Sequence, residues 1–330
     1  MKIAACIGGV ALLSFLLTGC QGLGATHNTH ATADHAVPPQ VRYQVTDVGG
    51  IKIFSREAGD PSRLAVVLLH GFPSSSHMYR EVLAALGDDY FVIAPDYPGF
   101  GDSDYPDPEQ FEYTFDGLAA VTNAFLEQRG IDRYVLMIQD YGAPIGYRIA
   151  TAHPERVRGF VVMNGNAYEE GLGEAGWGPI FEYWKQRTPE LEHQIAENVF
   201  GLEGLRWQYT HGTRNPGAIL PDNWNLDFMK LSRPRQHRVQ LDLFYDYRNN
   251  VALYPQWQAY LRQHQPPMLI VWGKNDAFFP APGAQAYLRD VPDAELHLLD
   301  TGHFALEEDA PFIIDKMRGF LGSLADTPQD

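Results

Sequence analysis

Tyr134-Val-Leu-Met-Ile-Gln-Asp140-Tyr-Gly-Ala-Pro-Ile-Gly146 is the stretch on which the reading of this chain turns. Five strand-forming residues, 134–138, run into Gln139-Asp140-Tyr141-Gly142, and small, helix-compatible residues follow. A strand, a sharp turn and a helix in that order form the geometry of a nucleophile elbow. Elbows usually carry serine, but the apex here is Asp140. A serine alkoxide attacks carbonyl carbon. A carboxylate is a weaker nucleophile that displaces a leaving group from saturated carbon and so becomes an alkyl ester. The competing reading is an ordinary buried strand whose last Asp caps the next helix.

Working outward, short apolar runs recur at 41–48, 51–54, 64–69, 90–94, 134–138, 159–163, 268–272 and 295–299. Amphipathic helical segments fall between them, at 77–86, 115–129, 144–153, 283–289 and 310–324. Continuous apolar strands alternating with helices predict an α/β fold, a mostly parallel sheet with helices on both faces. In such sheets ligands bind at the carboxyl ends of the strands. One interval breaks the rhythm. Residues 167–264 hold no convincing buried strand and are crowded with aromatic residues, among them Trp177, Tyr183, Trp184, Phe244, Tyr245 and Tyr247. They predict a helical cap inserted into a core formed by 41–166 and 265–330.

Three further loops follow predicted strands where a reacting centre needs them. His70-Gly71-Phe72-Pro73 places a Gly at a turn where backbone approaches substrate closely, and the Phe72 and Tyr141 amides together would make an oxyanion hole. Gly273-Lys274-Asn275-Asp276 puts a carboxylate at a strand end, and Asp300-Thr301-Gly302-His303 puts a histidine at the next. A lone His is usually structural or solvated, and a Gly-Pro pair alone is a turn. Nucleophile, acid and histidine in this chain order, each at the end of its own strand, are hard to obtain by chance.

On these residues the chain resembles the α/β-hydrolases with an aspartate nucleophile, the group of epoxide hydrolases and haloalkane dehalogenases. The resemblance spans 41–324. It implies Asp140 as nucleophile, Asp276 as acid, His303 as base, Phe72 and Tyr141 as oxyanion donors, and no metal or organic cofactor. No Gly-X-Ser-X-Gly occurs, so a serine esterase has no nucleophile here. Epoxide hydrolases use two cap tyrosines to hydrogen-bond the epoxide oxygen. The run from Trp177 to Trp184 resembles the first such segment, with Tyr183 at the tyrosine position. Phe244-Tyr-Asp-Tyr247-Arg-Asn249 resembles the second, with Tyr247 as donor and Tyr245 as the fallback. The alternative is that these rings only pack the pocket. Haloalkane dehalogenases instead hold the halide with a Trp after the nucleophile and a cap Trp or loop Asn. Tyr141 and Phe72 depart from that pattern, while Trp177 and Trp184 keep it open. The implied substrate is a small apolar epoxide or, failing that, a halogenated compound; a non-catalytic binding protein is the third reading.

The formal net charge of −16 argues against nucleic acid, whose binding relies on Lys and Arg at phosphates. Both cysteines, Cys6 and Cys20, lie in the first 20 residues, so the remainder has no thiol chemistry or disulfide. Lys2 and the apolar run 3–17 are too short for a membrane span of about 20 residues and read as an export signal. Leu17-Thr18-Gly19-Cys20 resembles a bacterial lipobox, which implies cleavage before Cys20 and a lipid on its thiol, the only membrane attachment expected. Gln21 after it implies the outer membrane, facing the periplasm; a plain secretory signal is the alternative. Residues 21–40 then form a flexible polar tether. His27, His30 and His35 within it read as solvated rather than metal-binding.

Overall fold

The computed structural model describes residues 40–325. The lipobox, its cysteines and most of the tether therefore lie outside the described residues. All eight predicted strands form. They are β1 (Arg42–Val48), β2 (Ile51–Ala58), β3 (Ala65–Leu69), β4 (Phe91–Pro95), β5 (Tyr134–Gln139), β6 (Val157–Met163), β7 (Met268–Gly273) and β8 (Glu295–Leu299). They make one sheet in the order β1-β2-β4-β3-β5-β6-β7-β8. The β1–β2 and β2–β4 pairs are antiparallel and the rest are parallel.

Burial explains why the central strands read as unbroken apolar runs. Every residue of β3, β4, β5 and β7 is buried, because helices cover both faces and no alternation is needed. The core helices are α1 (Arg80–Leu86), α2 (Phe115–Gln128) and α3 (Gly142–Ala152), with α9 (Ala281–Ala286) and α10 (Leu306–Ala325) near the carboxyl end of the chain. Thr114 caps α2 by accepting from the Gly117 amide at 3.0 Å. α1 packs against α10, and α2 against α3.

Between β6 and β7 run five helices: α4 (Glu174–Lys185), α5 (Pro189–Val199), α6 (Leu202–Thr210), α7 (Pro221–Leu231) and α8 (Gln236–His264). They occupy the interval in which the sequence shows no strand. Because β6 ends beside β5 and β7, this excursion leaves the sheet where the chemistry-bearing loops gather.

Candidate active site

The turn after β5 is built around a backbone exception. Asp140 sits at φ 49°, in the left-handed region that few residues other than Gly, Asn and Asp enter. Its amide donates to the Asn164 carbonyl at 3.1 Å, which pins the turn to the end of β6. The neighbouring backbone is close enough to need glycine. A Cβ on Gly142 would stand 2.1 Å from the Leu69 carbonyl oxygen, and one on Gly71 would stand 2.2 Å from the Asp140 Cβ.

The carboxylate of Asp140 faces two kinds of partner. The Phe72 amide donates to its Oδ1 at 2.6 Å, and the neighbouring Tyr141 amide also favours its charged form. His303 lies on the other side, with Nε2 3.9 Å from Asp140 Oδ2. The opposite ring nitrogen of His303, Nδ1, is 2.7 Å from Asp276 Oδ2. Asp276 in turn accepts from the Asn164 side chain at 2.7 Å and from the Phe278 amide at 2.8 Å. Four strand ends, those of β3, β5, β7 and β8, thus converge on one buried cluster.

Burial sets its electrostatics. Desolvation pushes the Asp140 carboxyl up to about 6, against the opposing pull of His303 and the Phe72 and Tyr141 amides. For His303, burial works to lower the pKa, but the Asp276 carboxylate and then Asp140 outweigh it, and the pKa is raised from its ordinary value. His70, by contrast, is held down at about 3 by burial, so it stays neutral, stacked on Tyr97 with ring centroids 4.2 Å apart.

A narrow cavity of about 30 Å³ lies over this cluster. Asp140, His303, Phe72 and Tyr141 line it from the strand ends, and Trp177, Ile180, Val199 and Phe244 line it from α4, α5 and α8. Of the expected donors, Tyr183 requires correction. Tyr183 does not line this cavity: its hydroxyl donates to Glu192 at 3.0 Å, and its ring packs on Tyr245 inside the cap. Tyr245 lines a separate polar groove beside Asp116 and Arg248. Tyr247 comes nearer. Its ring lies 4.4 Å from that of Trp177 and 6.0 Å from that of Tyr141. Its buried hydroxyl sits near Tyr254 without the geometry of a hydrogen bond.

Two side chains with a place in the site, Asn164 and Ile180, go unmarked in the sequence, and Gln139 of the elbow gains a role only in the structure. Asn164 ties Asp276 to the turn of Asp140, and it stands directly after a predicted strand, a position that marked the other four. Gln139 brings its Nε2 to 3.0 Å from His303 Nε2. Ile180 occupies the cavity wall one turn before Tyr183. Trp177, singled out only as a halide alternative, lines the cavity with its buried indole N–H unpaired. Trp184 donates instead to the Phe244 carbonyl at 2.8 Å.

A strained acidic elbow, a histidine–carboxylate pair and two backbone amides, all at the carboxyl edge of a parallel sheet, define a hydrolase site. A model of the alpha/beta hydrolase fold matches residues 65–310, and the chain belongs to that family. It is 39% identical over 278 residues to an uncharacterized hydrolase of Saccharomyces cerevisiae, covering 84% of this chain and 94% of that one. It is 38% identical over 291 residues to haloalkane dehalogenase 2 of Mycobacterium tuberculosis, covering 83% and 92%. Epoxide hydrolase 4 of Homo sapiens is 26% identical over 299 residues, covering 81% and 75%. The chain is therefore a hydrolase of the α/β-hydrolase type, related to epoxide hydrolases and haloalkane dehalogenases.

Proposed function

We propose that this protein opens epoxides to diols through an ester on Asp140. The observation that carries the reading is the Asp140 carboxylate held against the Phe72 and Tyr141 amides with His303 Nε2 only 3.9 Å away. In the first step an Asp140 oxygen attacks an epoxide carbon, the ring C–O bond breaks, and the oxygen leaves as an alkoxide. Tyr247 supplies its proton and Trp177 steadies it with the indole N–H. Both donors are buried and unpaired, which costs about 1–3 kcal/mol each in the absence of an acceptor. In the second step His303, oriented by Asp276, takes a proton from water, and the hydroxide attacks the Asp140 carbonyl carbon. The Phe72 and Tyr141 amides hold the resulting oxyanion, each worth about 3 kcal/mol. The acyl C–O bond then breaks, and the proton of the new carboxyl passes to the leaving oxygen. The proton on His303 returns through solvent to Tyr247, and the diol leaves carrying an oxygen from Asp140.

Carbon–halogen hydrolysis is the second reading, and Trp177 favours it specifically. A departing halide needs a donor but no proton, and the Trp177 indole lines the cavity. The intact mass of a His303→Gln variant separates the two, since without its base the enzyme stalls at the ester. Incubation with an epoxide panel is expected to add the mass of a whole epoxide, absent in Asp140→Asn. A gain of an alkyl group less halogen from a haloalkane panel moves the assignment to a dehalogenase. No adduct from either panel would remove the ester mechanism.

A further inference from the structure

The cavity over Asp140, at about 30 Å³, has room for a water molecule or so. On the side of α5, a single aromatic residue stands between it and the surface. Phe200, which ends α5, is fully buried, and its ring lies 5.6 Å from that of Phe72 and 5.7 Å from that of Phe244. Both of those rings line the inner cavity. Phe200 itself lines a surface groove of about 460 Å³, while its neighbour Val199 lines the cavity inside. The end of α5 thus borders both spaces, with Val199 facing the cavity and Phe200 the groove.

The groove has an apolar wall, to which Phe228 and Leu231 contribute, and a basic rim formed by Arg233, Arg235 and His237. No carboxylate lines it, although the chain carries 41 acidic residues against 25 basic ones. Arg235 is already paired with Asp107 at 2.6 Å. Burial holds the His237 pKa below its ordinary value, which keeps it neutral near pH 7. Arg233 stacks over the Tyr105 ring at 5.2 Å and has no carboxylate partner among the described residues. It is the uncommitted cation of the rim.

We propose that this groove holds the non-reacting arm of an amphipathic substrate: an apolar chain whose terminal carboxylate meets Arg233 and whose reacting end passes Phe200 to Asp140. The identity of the reacting end rests on the epoxide reading above; the carboxylate arm does not. Planar guanidinium matches carboxylate in a bidentate fork, and the apolar wall buries the methylenes between.

Two measurements on the full chain test this. Octanoate and octan-1-ol are titrated calorimetrically into wild type and Arg233→Gln. Wild type is expected to prefer the acid about tenfold, and the variant to lose that preference. In parallel, the kcat/KM ratio of 9,10-epoxydecanoate to 1,2-epoxydecane is expected to fall about tenfold in the variant. Absent or equal binding of acid and alcohol by wild type, or a preference for acid that survives Arg233→Gln, overturns the proposal. The expected binding with neither epoxide turned over keeps the groove and removes the epoxide reading instead.

Discussion

In the proposed role Asp140 attacks only as a carboxylate, and burial holds its pKa at about 6. We therefore expect the rate of ester formation to rise with pH through about 6 in single-turnover mass measurements. His303 accepts a proton only when neutral, and its pKa is raised from the ordinary value. Ester hydrolysis should accordingly gain rate on the alkaline side of ester formation, so adduct accumulates most in the window between the two. Opposite pH orders for the two steps would contradict the assigned roles. A second residue-scale prediction concerns Gly71. A Cβ there would meet the Asp140 Cβ at 2.2 Å and Oδ1 at 2.4 Å, so Gly71→Ala displaces the nucleophile itself. A misplacement of an ångström costs about 10²-fold, which steady-state kcat/KM will read, with circular dichroism as the control for folding.

Helix phase decides which cap residues reach the cavity. At 3.6 residues per turn each residue advances about 100°, so Tyr183 lies about 120° from Trp177 around α4, while Trp184 lies within about 20° of it. The resemblance that singles out Tyr183 rests on the likeness of the run from Trp177 to Trp184 and not on this angle. The same cap helices hold a pH-sensitive seam. Asp227 on α7 accepts from the Tyr209 hydroxyl of α6 at 2.6 Å, and the Tyr209 ring stacks on Phe304, next to His303, at 3.9 Å. Burial raises the Asp227 carboxyl to about 7, whereas it ionises near 3.8 when exposed. Its stabilising contribution is complete below about 3.8 and is lost as pH climbs to about 7. Between pH 5 and pH 8 the stability of Asp227→Asn should rise relative to wild type by on the order of 2–3 kcal/mol. Denaturant midpoints at the two pH values check this, and a difference that does not change with pH would show that Asp227 keeps an ordinary pKa.

Over the whole molecule, charge and termini add what the site does not contain. A net charge of −16 suits an enzyme with neutral or locally steered substrates, which makes the acid-free rim around Arg233 an exception worth testing. Cys20 precedes every described residue, and we propose that it carries the lipid that tethers the enzyme to a membrane. Cys20→Ala should then shift the protein from the detergent-extracted to the aqueous fraction with unchanged kcat on a soluble substrate. An unchanged distribution would remove the anchor.

The strands, the strand-terminal residues Asp140, Asp276 and His303, and the turn at Gly71 were legible in the chain because each depends on local pattern: apolar runs, a loop at a strand end, a small residue where backbones touch. The helical character of residues 167–264 was legible for the same reason, by the absence of buried strands. What lay beyond local pattern was contact. Which cap aromatic faces the nucleophile depends on how α4 and α8 rotate as they pack. That rotation turned Tyr183 toward Glu192, set Tyr247 against Trp177 and brought Ile180 to the wall. Asn164 gained its role only when β6 was seated between β5 and β7. Local sequence determined the strand-end residues that meet in the site and the sheet that spaces them. The tertiary structure decided the donors and the path inward, because these depend on side-chain directions that residues far apart in sequence settle together.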